Sequence, residues 1–509
     1  MSNESDNNKR IAKNTLLLYF RMLFMMVVSL YTSRVILNAL GVEDFGIYNV
    51  VGGVVAMFSV ISGSLSAAIS RFITYELGKG DQSKLNKIFS ASVTIQLLLA
   101  LIIVILIESV GVWFMNVKMA IPTERMLAAN WVLQFSIITF VINLISVPYN
   151  AAIIAHEEMS AFAYISIIEA IGKLAIAFLI MWAPIDKLIF YSFLMCLVAI
   201  FVRFTYGHYC KKHFKECTYH FFWDKEILYK MFGFAGWNFL GAGSLLLMTQ
   251  GVNILINLFF GVGLNAARGI ANQVDSAVQQ FVNSFSTAIN PQITKSYAVK
   301  DYNYMHNLVC SGSKYSFFLS WFFTLPLLLE GSMVLELWLK NVPNNAIIFM
   351  KLALCISLLS VVSNTLVTSM LATGNIKKYQ IIVGGFGMTI FPLVYIAYKL
   401  GMPAYSAYLI HFSIFVIQLI VRLQLLKHMI MLPIKDFLKK AILKDLKVIF
   451  LSSIFPCLIV YYMPPSFFRL FIVLTVSTLS ILISIYFAGL TKQEKIYIRF
   501  HLLSKIKTR

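Results

Sequence analysis

Apolar runs of about 20 residues, long enough to cross a bilayer as helices, alternate along this chain with short polar segments. The runs predict spans at about 14–39, 46–72, 88–115, 126–150, 161–183 and 187–208. A polar segment, Lys211 to Lys230, separates these from spans at about 231–258, 267–291, 312–337, 346–372, 379–399 and 403–426. A basic segment leads to two more, at about 446–463 and 467–489, and a basic tail follows. The expectation is an all-α integral membrane protein of about fourteen transmembrane helices. It divides into a first lobe at 1–210, a cytoplasmic linker at 211–230, a second lobe at 231–428, two extra C-terminal helices at 429–490 and a basic cytoplasmic tail at 491–509.

The eighth span breaks the apolar pattern. Arg268, Asn272, Asp275, Gln279, Asn283, Ser286 and Asn290 follow one another at steps of three or four, which lines them up on one face of a helix. Ile270, Ala271, Val274, Ala277, Val278, Phe281 and Phe285 occupy the other face. Lipid cannot satisfy polar groups, so such a stripe requires a wet interior to face. The plainer alternative is that these side chains only bond neighbouring helices together, but they are more numerous than that role needs. Pro291 is expected to end this helix near the inner surface.

An internal repeat is visible without a gap. Gly41–Asp81 and Gly261–Asp301, 220 positions apart, share ten identities in 41, among them Gly41/Gly261, Ser64/Ser284, Ser66/Ser286, Thr74/Thr294 and Asp81/Asp301. Trp113, Asn116 and Val117 echo Trp338, Asn341 and Val342, and Val202-Arg203 echoes Val421-Arg422. A repeat spanning several helices predicts two related six-helix lobes, as in transporters.

Composition strengthens the membrane reading: 59% hydrophobic, 13% charged, mean hydropathy +0.79. With both termini cytoplasmic, the inner side carries 31 of the 42 Lys and Arg, the outer side 7, and the spans 4. That asymmetry satisfies the positive-inside rule and accounts for the net charge of +20 without nucleic acid. The outer loops are about ten residues or fewer, too short for a folded domain. His208, Cys210, His213, Cys217 and His220 lack paired Cys-x-x-Cys spacing, so no metal or other cofactor is expected.

Several runs then become specific: NTLLLYFRM from Asn14, SRVILNALGVEDFGIYN from Ser33, SRFITYELGKGD from Ser70, ESVGVWFMN from Glu108, ARGIANQVDSAVQQF from Ala267 and PQITKSYA from Pro291. The chain resembles the polysaccharide-exporting branch of the multidrug/oligosaccharidyl-lipid/polysaccharide exporter superfamily, within it the Wzx-type O-antigen flippases. The resemblance implies a V-shaped pair of lobes around a central cavity. It implies transfer of an undecaprenyl-pyrophosphate-linked oligosaccharide, an O-antigen or capsule repeat unit of lipopolysaccharide or related glycans, across the bacterial inner membrane. Relatives that flip the peptidoglycan precursor use cations of helices 1, 2 and 8 for the diphosphate, and Arg21, Arg71 and Arg268 stand at comparable places.

The residues agree in kind. Asn272, Gln279, Asn283 and Ser286 offer the hydrogen-bond partners a sugar needs. Arg binds phosphate oxygens in a fork, and Arg34 joins Arg21, Arg71 and Arg268 as a substrate-binding candidate. Asp275 is the candidate ion-coupling residue, for H+ or Na+, since intramembrane carboxylates serve as relays. Glu169 and Lys173, four apart, suit an intrahelical ion pair. Membrane lipids and glycan-assembly enzymes are the other candidate partners. Two alternatives remain open: a multidrug exporter of organic cations, which would favour an acidic cavity, and a membrane polysaccharide polymerase or acyltransferase, which would place its catalytic groups in a sizeable loop.

Overall fold

The computed structural model describes residues 2–56, 59–118, 121–220, 224–260, 262–339, 342–343, 345–492 and 494–496. Among them the backbone forms helices, turns and short connections and no strand, the arrangement lipid demands because a helix closes its own hydrogen bonds. The helices in order are α1 (Ser2–Ala56), α2 (Ser59–Lys79), α3 (Gln82–Leu106), α4 (Val112–Lys118), α5 (Met126–Ala155), α6 (Met159–Leu179) and α7 (Lys187–His213). Then follow α8 (Lys225–Leu246), α9 (Val252–Phe260), α10 (Val262–Ala298), α11 (Tyr302–Leu339), α12 (Ala346–Thr373) and α13 (Lys377–Tyr379). The chain continues through α14 (Gly385–Met388), α15 (Ile390–Lys399), α16 (Ser406–Ile430), α17 (Ile434–Phe437), α18 (Leu443–Tyr462) and α19 (Phe467–Ser484).

Helix α1 is broken at Gly41, where φ 82 and ψ 169 suit a residue without a Cβ. Single π-helical turns at Leu247–Gly251 and Gln380–Gly384 join α8 to α9 and α13 to α14. A π turn releases backbone carbonyls from the regular ladder, and side chains use them: Ser244 donates to Gly384 O at 3.0 Å and Gln418 to Val383 O at 2.8 Å.

Eleven stretches among the described residues, from Arg10–Ser29 to Phe467–Gly489, are long and apolar enough to cross a membrane. The three other predicted spans are helical too, within the end of α1 and α2, within α10, and within α18. Polar residues set them apart: Arg71 in α2, the stripe of α10, and Lys444, Asp445 and Lys447 at the start of α18. Pro291 does not end its helix, contrary to expectation; α10 runs through it to Ala298. A proline costs one backbone bond, and in membrane helices neighbouring polar groups make that tolerable.

The chain forms two compact units. The first comprises Met1–Ala242, Thr287–Asp301 and Gly374–Lys377; the second comprises Gly243–Ser286, Tyr302–Thr373 and Lys378–Arg509. In the first, α5 packs against α7, α1, α2 and α3 around Val51, Ile103, Ile107, Val132 and Leu133. One end of it is tied by Arg125, which pairs with Asp44 and, at 2.6 Å, with Asp186. The connections at the other end are tied by buried Glu216, which meets His156 at 2.5 Å and Gln82 at 3.1 Å. Burial alone would push the Glu216 carboxyl up; the His156 and Gln82 bonds outweigh it and hold it below the usual carboxylate range.

In the second unit α11, α12 and α16 pack together, and α18 and α19 pack on α11. Trp321 donates to Ser452 Oγ and Ser480 to Ser452 O, both at 2.9 Å. The N-terminal end of α19 is anchored by an ion pair of Arg469, which the charge count had placed outside the spans. Arg469 reaches Glu330 at 2.7 and 3.0 Å, with the Glu330 side chain fully buried.

Candidate functional site

Among the described residues of the second unit, Arg268 is a buried cation with little compensation. It is buried, 6% exposed, on the first turns of α10, with Ala267 and Ala271 packed into the core beside it. Its Nη2 donates to Thr249 O at 3.3 Å, a carbonyl inside the π turn before α9. The guanidinium lies over the Tyr408 ring at 5.5 Å. Nε makes no hydrogen bond, and among the described residues no carboxylate pairs with Arg268. One carbonyl and one ring face supply far less than the hydration a buried guanidinium gives up.

Further along α10 the stripe divides. Asn272 and Asn283 are exposed, Asp275 and Gln279 half-buried, Ser286 buried with its hydroxyl unbonded. Gln279 Nε2 donates to Ser357 Oγ of α12, and Ser357 also bonds Asp275. Val278 and Val282, which flank the stripe along one side of the helix, are buried. Ala277, placed on the apolar face, is exposed; a methyl group is too small to dictate which way its helix turns.

The first unit holds Arg21 and Arg71. Arg21, half-buried, sits 4.2 Å over the Phe162 ring, with Nε making no hydrogen bond. Glu169, which could have neutralised it, is taken by Lys173 at 2.6 Å, the intrahelical pair expected from their spacing. Arg71 lies among the rings of Tyr75 at 4.6 Å, Phe72 at 4.7 Å and Phe234 at 5.8 Å. It packs on Gly374, whose φ is +75 and where a Cβ would stand 2.5 Å from Arg71 Nη2. Glycine there serves both the turn and the approach of the cation. The Arg34 side chain lies outside the described residues.

Sequence reasoning missed Glu157, a hub at the α5–α6 end of this unit. Its side chain is fully buried and meets Lys295 at 2.6 Å, Gln292 at 2.7 Å and Arg10 at 2.9 Å, while its carbonyl accepts from Asn14 at 3.1 Å. It therefore ties the start of α1 and the end of α10 to the α5–α6 turn. Glu157 itself has φ 64, a strained backbone for this residue type. In sequence it is one of two glutamates in a short loop, and spacing carries no hint of partners 138 residues away. Glu157→Gln is expected to loosen the end of α10 by roughly 3 kcal/mol, since it leaves Lys295 without its counter-charge. Amide exchange over 292–298 would rise about a hundredfold by mass spectrometry; unchanged exchange would refute this role.

Among the His and Cys residues near 208–220, Cys210 and Cys217 bond each other, while His208 and His213 turn to separate partners. Cys210 contacts Tyr149 O at 3.5 Å, His213 Nδ1 contacts Tyr209 O at 2.9 Å, and His208 stacks on Phe204. Among the described residues no group of three or more metal-ligating side chains forms.

Residues 11–297 match the model of a family described as polysaccharide biosynthesis protein. An uncharacterized membrane protein of Bacillus subtilis (strain 168), EpsK, is 19% identical over 283 residues, 55% of this chain and 55% of that protein. The chain thus aligns with about half the length of this relative. Among solved structures, a multidrug resistance MATE family transporter of the MOP superfamily, outward-facing, matches with TM-score 0.71 and 13% identity over 83% of this chain and 96% of that one. MATE in a bent conformation gives 0.73 and 13% over 85% and 97%. A MOP superfamily transporter from Pyrococcus furiosus, described by the reverse polarity of its binding pocket, gives 0.71 and 13% over 85% and 96%. At these identities the likeness is one of fold.

Proposed function

The chain belongs to the polysaccharide biosynthesis protein family, and on that premise we propose that it is a flippase for an undecaprenyl-pyrophosphate-linked oligosaccharide. It carries this O-antigen, capsule or exopolysaccharide repeat unit from the cytoplasmic to the periplasmic leaflet of the bacterial inner membrane by alternating access. Both of its termini face the cytoplasm. The observation that carries this reading is the uncompensated guanidinium of Arg268, buried at the head of a helix otherwise lined with amides and hydroxyls. A diphosphate supplies the missing counter-charge, and a guanidinium receives two phosphate oxygens in its planar fork. Asn272, Gln279, Asn283 and Ser286 offer the mixed donors and acceptors that a sugar's hydroxyls require. Arg21 and Arg71 of the first unit are further candidates for binding phosphate, each packed on aromatic rings, and Arg34 is another. Asp275 is the coupling carboxylate, for H+ or Na+. An exporter of organic cations would place acids, not arginines, at such positions.

The test is the fate of the lipid-linked sugar in a deletion strain. Precursor accumulating on the inner leaflet, cleared by the restored chain, supports the flippase. Unpolymerised sugar reaching the outer leaflet would replace it with a polymerase, and dye efflux without a glycan defect would replace it with a multidrug exporter.

A further inference from the structure

Arg268 has neighbours in the second unit that share its lack of partners. On α16, the Tyr408 hydroxyl and Nε2 of His411 are both buried without a hydrogen bond. Tyr408 is 5% exposed and supplies the ring face under the guanidinium. His411 follows it by three residues, on the same side of the helix, and lies within electrostatic reach of Arg268. A phenol with a structural duty close by is bonded: Tyr398 donates to Ala404 O at 2.9 Å.

Packing holds these groups together. Ala267 and Ala271, beside Arg268 on α10, share one core with Ala404 and Tyr408 of α16, and Phe415 packs against it. Ala404, Tyr408, His411 and Phe415 recur at steps of four, three and four, so one face of α16 meets α10. The Tyr408 ring stacks on Phe349 of α12 at 5.1 Å, and the His411 ring meets Phe415 at 4.6 Å. Rings wedged in this way keep their polar atoms oriented before a ligand arrives. Asp275, which also acts on Tyr408, stands two turns, roughly 10 Å, along α10 from Arg268 and bonds Ser357.

The chemistry of the set is one-sided. Arg268 Nε and the Tyr408 hydroxyl donate, and a neutral imidazole with its proton on Nε2 donates too. Three buried donors without acceptors are rare in a finished protein, and the charge among them repels a cation. Water would satisfy the donors but leave the guanidinium's charge unbalanced. An anion does both. Donors on two helices suit a phosphate, whose three free oxygens point in different directions, better than a carboxylate, whose two lie in one plane.

We propose that Tyr408 and His411 complete a phosphate site with Arg268, each donating a hydrogen bond directly to the ligand. The inference rests on the reading of Arg268 as the phosphate-binding cation and adds two binding residues to it. They supply a selectivity that arginine alone lacks, because its fork accepts carboxylate and phosphate alike.

Purified full-length chain in nanodiscs of neutral lipid, titrated with 32P-labelled inorganic pyrophosphate at constant ionic strength, reads the site directly. Saturable binding is expected, with a rise in Tm that glucuronate, a carboxylate of sugar size, does not produce. Tyr408→Phe keeps the ring that packs on Phe349 and Arg268 and removes only the hydroxyl. It should bind pyrophosphate about tenfold or more weakly, with the Tm of the unliganded protein unchanged. His411→Phe should lose a similar factor, and His411→Gln, whose amide reaches the place of Nε2, should recover most of it. Tyr408→Phe decides the matter even if a histidine variant fails to fold. The site is overturned by absence of saturable binding in the parent chain, or by glucuronate binding as tightly as pyrophosphate. It is overturned equally by full affinity in Tyr408→Phe, which would leave the anion on surface lysines. No glycan enters this measurement, so a chain that binds pyrophosphate through these residues but leaves lipid-linked precursor untouched overturns the flippase alone.

Discussion

Arg268→Ala is expected to abolish glycan export while the protein still reaches the membrane at normal abundance. The guanidinium is buried with one carbonyl and one ring for company, so in the resting protein its charge is a cost rather than a support. Removing it leaves stability unchanged or raises it, the pattern expected of a residue kept for function. Two charge-assisted bonds to a diphosphate are worth about 3 kcal/mol or more, so affinity for the carrier lipid falls at least about a hundredfold. Arg268→Lys keeps the charge but loses the fork, and restores only part of export. Export and melting temperature of each variant, measured side by side, check this. A destabilised Arg268→Ala protein, or one that exports normally, removes Arg268 from substrate binding.

The second large effect is on stability. Glu330→Ala leaves the Arg469 guanidinium buried beside a void, keeping only Met463 O at 2.9 Å as a described partner. Breaking one side of a buried ion pair costs about 3–5 kcal/mol, and thermal unfolding in detergent should show it. The apolar double variant Glu330→Met with Arg469→Met should recover most of the loss, because no charge is left stranded. A double variant as unstable as the single one would mean that the pair itself contributes little and that packing at this end of α19 dominates. Arg268 and Glu330 thus separate cleanly: both are buried and charged, but only one has its opposite charge beside it.

These contrasts mark what could be read from residue order. Run length, the spacing of Arg268, Asn272, Asp275 and Gln279 along α10, and the Glu169–Lys173 pair are local properties, written within one or two helical turns. The helical membrane fold followed from them because a lipid solvent leaves a chain few options. Glu157, Glu330 and Lys314 were not legible. Lys314, counted among inner-side charges, is buried on Glu494 at 2.9 Å, 180 residues away. No periodicity announces such a partner. The unbonded Tyr408 hydroxyl and His411 Nε2 were equally silent, since a tyrosine and a histidine three apart in an apolar run read as ordinary packing residues.

The sequence by itself determined that this is a polytopic helical membrane protein with one helix too polar for lipid, because hydrophobic burial and backbone hydrogen bonding act on short stretches of chain. Only the tertiary structure decided which charges are satisfied. Whether Arg268 stands alone, Arg469 meets Glu330, or Glu157 gathers Arg10 and Lys295 depends on which helices pack side by side, and Coulomb attraction at a few ångströms does not register separation along the chain.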